Sequence, residues 1–159
     1  MSRRRALVIT ASTRAAAGVY HDATGPELVA GLERLGFAVD GPQVVPDGEP
    51  VERALRDAVR AGYDVVLTTG GTGVGPGDVT PDVTRRVLDR EVPGVGEAVR
   101  AAGLAVGVST AMLSRGIAGV AGHTFIANLP GSTGGARDGL ETIGPVLRHV
   151  VDQIAGGDH

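Results

Sequence analysis

The sequence contains no cysteine, no lysine and no tryptophan, and only 3% of its 159 residues are aromatic. Without cysteine, the chain has no thiol nucleophile, no thiolate metal site and no disulfide. Without lysine, it forms no Schiff base through a side chain and lacks the Walker-A lysine that contacts nucleotide phosphates. These absences exclude several common catalytic mechanisms before any motif is considered.

The charge and the apolar content exclude further classes of protein. A formal net charge of −3 creates no basic field for nucleic acid. The first apolar run, residues 6–10, is too short for a signal sequence or a membrane span. An apolar content of 42% argues against disorder. We therefore expect a cytoplasmic protein with one domain, residues 1–159, and with no nucleic-acid or membrane partner.

Strands are predicted in five segments, which are residues 6–10, 37–45, 64–68, 116–121 and 124–129. The first and third are continuous apolar runs, which are typical of strands buried on both faces of a parallel sheet. Only Gly122 and His123 separate the last two segments, and this two-residue connection predicts a hairpin.

Helices are predicted between the strands, with starts at or near Pro26, Glu49, Thr80, Pro93 and Ser132. Proline is favoured in the first turn of a helix, and Gly36 is placed to end the first one. Gly144 followed by Pro145 is expected to divide the last stretch into two helices, because an interior proline removes a hydrogen bond and clashes with the preceding turn. The small and apolar residues 101–108 fit either a subunit contact or the core.

The alternation of strands and helices predicts a three-layer α/β/α domain with a mostly parallel sheet, made mixed by the hairpin. Ligands bind such folds beyond the carboxyl ends of the strands. The loops that follow Thr10, Thr68 and Leu129 leave strands at that edge. We therefore expect these loops to form one common site.

The strongest candidate for an anion-binding loop, called here the glycine loop, consists of Thr69, Gly70, Gly71, Thr72 and Gly73. Glycine permits backbone conformations in which successive amides point into one concavity, and such a nest binds anionic oxygen. A glycine pair alone would indicate only a turn. The position after a buried strand and before Asp78 and the helix start at Thr80 favours a binding loop.

A second candidate for anion binding is the sequence Pro130, Gly131, Ser132, which lies between a predicted strand and a predicted helix. The first amides of a helix have no intrahelical acceptor and attract anions. The alternative is an ordinary strand-to-helix turn.

Asp47 and Asp78 are candidate metal ligands, because each lies in a turn near a predicted strand end. In phosphate chemistry, Mg²⁺ is usually held by one or two carboxylates together with the phosphates of the substrate. Without lysine, a metal ion is the favoured neutraliser of a polyphosphate. The alternatives are an Asx-turn residue for Asp47 and a helix-entry carboxylate for Asp78.

Arg14, Arg115 and Arg137 lie in or beside the predicted loops and could bind phosphate through two hydrogen bonds each. The alternative for each is a solvated surface arginine. The histidines have no metal-ligand spacing, and Ser114 has no histidine nearby in sequence. The sequence therefore gives no support to a Ser-His-Asp mechanism.

Motifs along the whole chain resemble, in the same order, those of the Mog/MoaB molybdopterin-binding family. They are residues 12–14, 18–22, 45–47, 68–73, 78–82, 89–94, 113–115 and 128–132. The resemblance implies a three-layer fold with a mixed sheet and assembly as a homotrimer, with a hexamer as a further possibility. It also implies molybdopterin adenylyltransferase activity with ATP and molybdopterin as substrates, Mg²⁺ as cofactor and a molybdenum-insertion protein as partner.

The resemblance assigns roles to individual positions. Asp47 and Asp78 match two acids linked to adenylyl transfer and to magnesium. The glycine loop and Ser132 match loops that bind the substrate phosphate and the pterin, and Ser114 and Arg115 match a pair that lines the site. The resemblance to the family's first loop adds Ser12 and Arg14 to the substrate-binding set.

Two positions depart from the family's pattern. Thr13 stands where many members have an acid, and Gly77 stands where some have a basic residue. Because fewer charges near a nucleotide would weaken turnover, the alternative is a non-catalytic, MoaB-like protein that binds or carries the pterin. A third interpretation is a relative of the competence-damage nucleotide-processing domains. Residues 79–82 fit the pattern of that group less well than they fit the Mog/MoaB pattern.

Overall fold

The computed structural model describes residues 3–157. Its strands are β1 (Arg5–Ala11), β2 (Ala38–Val45), β3 (Val65–Thr69), β4 (Arg90–Glu91), β5 (Ala118–Ala121) and β6 (Thr124–Leu129). Its helices are α1 (Thr13–Ala16), α2 (Thr24–Arg34), α3 (Glu49–Ala61), α4 (Thr80–Val87), α5 (Pro93–Ala105) and α6 (Thr133–Ile154), with a 3₁₀ helix at Ser109–Leu113.

The strands form a six-stranded sheet in the order β2-β1-β3-β6-β5-β4. Strands β2, β1, β3 and β6 are parallel, whereas β5 is antiparallel to β6 and β4 is antiparallel to β5. Ala121 pairs with Thr124 across Gly122 and His123, so the predicted hairpin is confirmed. The mostly parallel, mixed sheet confirms the predicted fold class.

Helices cover both faces of the sheet, because alternate residues of a buried strand point to opposite sides. In β1, Ala6 and Val8 pack with residues of α2, α5 and α6. Leu7 and Ile9 pack on the opposite face with residues of α3 and α4. The sheet and the helices packed on its two faces through these clusters form the three predicted layers.

Helix α6 is continuous through Pro145, so the prediction of two helices was wrong. Pro145 has no amide hydrogen, so the carbonyl of Glu141, four residues earlier, has no helical donor. Both residues lie on the exposed face of α6, so this carbonyl lies on the solvent side. Ile143 and Leu147 are buried on either side of the proline. Packing of this apolar stripe therefore holds the helix together where local propensity would end it.

The segment from Leu104 to Leu113, called here the apolar segment, lies on the surface and not in the core. Its large side chains are between 42% and 62% exposed, namely Leu104, Val106, Val108, Met112 and Leu113. The core alternative for residues 101–108 is therefore wrong. Strand β4 and the 3₁₀ helix were not predicted, because segments of two and five residues carry too little periodic pattern.

The helices in the described part of the chain include none long and apolar enough to cross a membrane.

Candidate active site

The loops at the carboxyl ends of β1, β3 and β6 contact one another, because these strands are neighbours in the sheet. Thr69 Oγ1 donates a hydrogen bond to the Pro130 carbonyl at 2.7 Å. The Gly70 amide donates to the Leu129 carbonyl at 3.3 Å. A Cβ on Gly131 would lie 3.1 Å from Gly70 Cα, so the two loops touch through their backbones.

The glycine loop has a backbone that other residues rarely adopt. Gly70 and Gly71 have φ angles of +97° and +68°. A Cβ on Gly70 would collide with the carbonyl oxygen of Ala11. Within residues 3–157, the amides of Gly71, Thr72 and Gly73 donate to no protein acceptor. The loop therefore offers free amides for an anionic ligand, as its composition predicts.

Asp47 lies against the glycine loop and is oriented by Thr13. Its Oδ2 accepts hydrogen bonds from the Thr13 amide and from Thr13 Oγ1, both at 3.1 Å. The Asp47 amide donates in return to Thr13 Oγ1 at 3.1 Å. Oδ1 lies 2.9 Å from the position that a Cβ would take on Gly71, and no donor within the described residues bonds to it.

Asp78 lies at the other end of the same loop. Its Oδ2 accepts a hydrogen bond from the Gly75 amide at 3.0 Å and lies 2.9 Å from the position of a Cβ on Gly73. The two carboxylates therefore flank one short segment, with Asp47 beside Gly71 and Asp78 beside Gly73. No group of three acidic, histidine or cysteine side chains arranged to hold a metal ion occurs between residues 3 and 157.

Arg115 holds the glycine loop and the start of α4 in place. Its amide donates to the Thr72 carbonyl at 2.7 Å, and its Nε donates to the Gly73 carbonyl at 2.9 Å. The guanidinium also donates to the Asp78 carbonyl and to both carboxylate oxygens of Asp82. These hydrogen bonds from Arg115 lower the pKa of Asp82 below its usual value. The guanidinium is thus directed at the loop backbone.

A cavity of about 560 Å³ opens beside the glycine loop. Six predicted residues line it, namely Thr72, Gly73, Ser114, Pro130, Gly131 and Ser132. Its walls also include residues that were not predicted, namely Val74, Val99, Arg100, Val108, Leu113 and Asp138. Most of these come from α5, α6 and the apolar segment, where only the tertiary fold brings them to the site.

A smaller cavity of about 270 Å³ lies on the other side of Gly131 and Ser132. Its walls include the predicted residues Ser12, Thr69, Gly70, Gly131 and Ser132. They also include Tyr20, His21 and Asp22, which belong to one of the motifs that resemble the family but were not assigned as site residues. Most of the predicted site residues therefore divide between two adjacent cavities, whose walls do not include Gly71, Asp47 or Asp78.

The N-terminal end of α6 separates the two cavities. Ser132 precedes the helix, and its Oγ accepts a hydrogen bond from the Gly135 amide at 3.1 Å. Helix α6 has 22 residues, and the positive end of its dipole lies at this point. The free amides of the first turn and the dipole favour a negative charge at this point.

The remaining two arginines have different surroundings. The Arg14 guanidinium lies over the ring of Tyr20, 5.4 Å from its centroid, and Tyr20 lines the smaller cavity. Arg137 instead forms two hydrogen bonds with the Glu27 carboxylate, at 3.0 and 3.1 Å, between α2 and α6. The structure therefore does not place Arg137 in either cavity.

The fold and these loops define a three-layer α/β protein with a candidate anion-binding site at the carboxyl edge of its sheet. A match to a known family identifies the chain more closely than its fold does. The family described as "Probable molybdopterin binding domain" matches residues 7–149, and the chain belongs to this family.

Individual relatives agree with this membership. The molybdopterin adenylyltransferase of Haemophilus influenzae is 43% identical over 86% of this chain and 71% of its own length. The molybdenum cofactor biosynthesis bifunctional protein of Chlorobaculum tepidum is 38% identical over 98% of this chain, which spans only 50% of that longer protein. The structure of the molybdopterin biosynthesis Mog protein from Mycobacterium ulcerans superposes with a TM-score of 0.92 at 50% identity, covering 98% of this chain and 99% of that one.

Proposed function

We propose that this protein is a molybdopterin adenylyltransferase of molybdenum cofactor biosynthesis. It transfers the adenylyl group of ATP to molybdopterin and releases pyrophosphate. The observation that carries this proposal is the position of Asp47 and Asp78 at the two ends of a loop with free amides. Relatives from Haemophilus influenzae and Helicobacter pylori, 43% and 36% identical, carry the name of this activity.

The two cavities suggest where the substrates bind. The larger one, about 560 Å³, has an apolar wall and suits the flat pterin. The smaller one is lined by the hydroxyls of Ser12, Thr69 and Tyr20 and suits phosphate groups of the nucleotide. Gly131 and Ser132 border both cavities, so the reacting phosphates meet at the N-terminal end of α6. Arg14 lies over the ring of Tyr20, which lines the smaller cavity, and would add a positive charge nearby.

The reaction needs no strong general base. A terminal phosphate oxygen of molybdopterin bonds to the α-phosphorus of ATP, while the bond from that phosphorus to the bridging oxygen of the β-phosphate breaks. A phosphate nucleophile is already ionised near neutral pH, so the reaction does not depend on a histidine or lysine base. The chain contributes positioning and charge stabilisation through the amides of the glycine loop and the first turn of α6.

The donor atoms of Asp47 and Asp78 fit a magnesium ion that arrives with the nucleotide. Each carboxylate has one oxygen bonded to the protein and, among the described residues, one without a protein donor. Mg²⁺ typically uses one or two carboxylates and fills its other positions with phosphate oxygens and water. Held by these carboxylates, Mg²⁺ would neutralise charge on the phosphates.

The first test combines the purified protein with Mg²⁺, ATP and molybdopterin and measures pyrophosphate and adenylylated pterin. We expect both products in equal amounts. Binding of the pterin without any pyrophosphate would instead support the alternative of a non-catalytic carrier, which the departures at Thr13 and Gly77 suggest.

The second test replaces Asp78 by asparagine. We expect Asp78→Asn to abolish turnover and to leave pterin binding unchanged, because this carboxylate would hold Mg²⁺ at the phosphates and is not part of the wall of the larger cavity. Asp57→Asn, at an exposed position on α3, is the control and should retain full turnover. If Asp78→Asn turns over at the wild-type rate, the proposed role of Asp78 is wrong.

Four further features belong to the same proposal. The six strands form one sheet, in keeping with a single domain over residues 1–159. The exposed apolar segment offers a contact surface for a homotrimer or a hexamer. A molybdenum-insertion protein would accept the adenylylated product. A cytoplasmic location remains a prediction from the sequence.

A further inference from the structure

Thr80, at the start of α4, carries a buried hydroxyl that has no hydrogen-bond partner among the described residues. Its side chain is fully buried, and Oγ1 is the only buried side-chain polar atom between residues 3 and 157 without a partner. A buried polar group without a partner destabilises the folded state. Thr84, one turn later on the same helix, is equally buried but bonds to the Thr80 carbonyl and to Asn128.

The unpartnered hydroxyl lies beside the glycine loop, close to Asp47. The Thr80 amide donates to the Gly71 carbonyl at 3.0 Å, which fixes α4 against the loop. A Cβ on Gly71 would collide with Thr80 Oγ1 and lie 2.9 Å from Asp47 Oδ1. Thr80 Oγ1 and Asp47 Oδ1 therefore face each other across the space that a side chain on Gly71 would fill.

We propose that Thr80 is a positioning residue, whose hydroxyl donates a hydrogen bond to Asp47 Oδ1 once the site holds its ligands. Thr13 already holds Oδ2 of this carboxylate, and Oδ1 is the unpartnered acceptor beside Thr80. Oδ1 has two lone pairs, so it can accept from Thr80 while it also binds Mg²⁺. A small movement of Asp47 towards Gly71 forms the bond and fixes the carboxylate from both sides. This inference rests on the proposed function, because it assumes that Asp47 acts on the nucleotide.

The test compares Thr80→Val, Thr80→Ser and Thr84→Val by thermal unfolding of the free protein and by steady-state pyrophosphate release. Valine matches the shape of threonine without the hydroxyl. We expect Thr80→Val to melt at or above the wild-type temperature, because it removes an unpartnered polar atom, while kcat falls about tenfold or more. We expect Thr80→Ser to melt lower, because it loses a buried methyl group, but to keep a kcat near that of wild type.

Thr84→Val is the control for a hydroxyl that serves stability. It leaves Asn128 without one of its partners, so the melting temperature should fall while kcat of the folded protein stays unchanged. If Thr80→Val melts as low as Thr84→Val, or if its kcat equals that of wild type, the proposal for Thr80 is wrong.

Calorimetric binding of Mg²⁺–ATP separates this inference from the proposed function. A wild-type protein that binds Mg²⁺–ATP but releases no pyrophosphate contradicts only the adenylyltransferase activity. In that case weaker binding by Thr80→Val, rescued in Thr80→Ser, still supports the positioning role. Equal binding by wild type and Thr80→Val, or no binding by either, overturns it.

Discussion

At the scale of single residues, the site depends on a backbone that only glycine tolerates. Gly70 lies where the loops after β1, β3 and β6 meet, with φ at +97° and the Ala11 carbonyl in the place of a Cβ. Neither feature concerns a side chain that binds a ligand. The glycine is required because three loops approach one another closely, and this approach brings the free amides to the cavities.

Gly70→Ala should therefore lower the free energy of unfolding by about 2 kcal/mol or more, because the new methyl group adds a backbone collision to an unfavourable φ. Urea unfolding followed by circular dichroism measures this change. Gly94→Ala is the matched control, since nothing lies within 4 Å of a Cβ there. It should leave stability unchanged or raise it by up to about 1 kcal/mol, because Gly94 lies in α5, where alanine is favoured over glycine. Equal losses in both variants would contradict the close-approach argument.

At the scale of elements, helix α6 shows how packing overrides a local signal. Its buried residues Ile143, Leu147 and Val151 continue one stripe on both sides of Pro145. The stripe contacts the sheet cluster that α2 and α5 also cover. Because the affected carbonyl, that of Glu141, lies on the exposed face, water can replace the missing helical donor. The proline therefore weakens the helix but does not interrupt it.

Pro145→Ala should raise the free energy of unfolding by about 1–2 kcal/mol, since alanine restores an amide donor within the helix and favours it intrinsically. Denaturant unfolding again gives the value. Val146→Ala, at the adjacent and 47% exposed position, should gain no more than about 0.5 kcal/mol. If Pro145→Ala has a free energy of unfolding no higher than that of Val146→Ala, the proline does not destabilise α6.

At the scale of the whole molecule, the larger cavity borders an unusual surface. The apolar segment contributes Val108 and Leu113 to the cavity wall, and its other large side chains lie on the outside. Contiguous exposed apolar surface commonly marks a contact with another chain. The proposed trimer contact therefore lies next to the proposed pterin site, and assembly would shield that cavity from water.

One chain has a mass of 16.0 kDa. We expect the wild-type protein to be a trimer in solution, and we expect the Val106→Glu substitution to dissociate this trimer. Val106 is 62% exposed, so a charge is harmless in the isolated chain but unfavourable in an apolar contact. Light scattering after gel filtration measures the mass. Val146→Glu places the same charge on the exposed face of α6 and should leave the assembly intact. A Val106→Glu protein with the wild-type mass would exclude this segment from the contact.

The sequence by itself determined most of the elements and indicated the loops of the candidate site, because both depend on neighbours in the chain. Apolar runs gave β1 and β3, helical spacing gave α3, and the position of the glycines after β3 indicated the loop with free amides. Asp47 and Asp78 were chosen as candidate site residues from the sequence, through turn residues, phosphate chemistry and family resemblance, and the structure places both beside the glycine loop.

Only the tertiary structure decided what depends on contacts between distant segments. The two cavities of the candidate site share Gly131 and Ser132, and Gly131 contacts Gly70, 61 residues earlier in the chain. Arg115 is directed at the backbone of the glycine loop, and Arg137 at Glu27, although both had the same expected role. The unpartnered hydroxyl of Thr80 has no local signature at all, because whether a buried donor finds an acceptor depends on which chain segments fold against it.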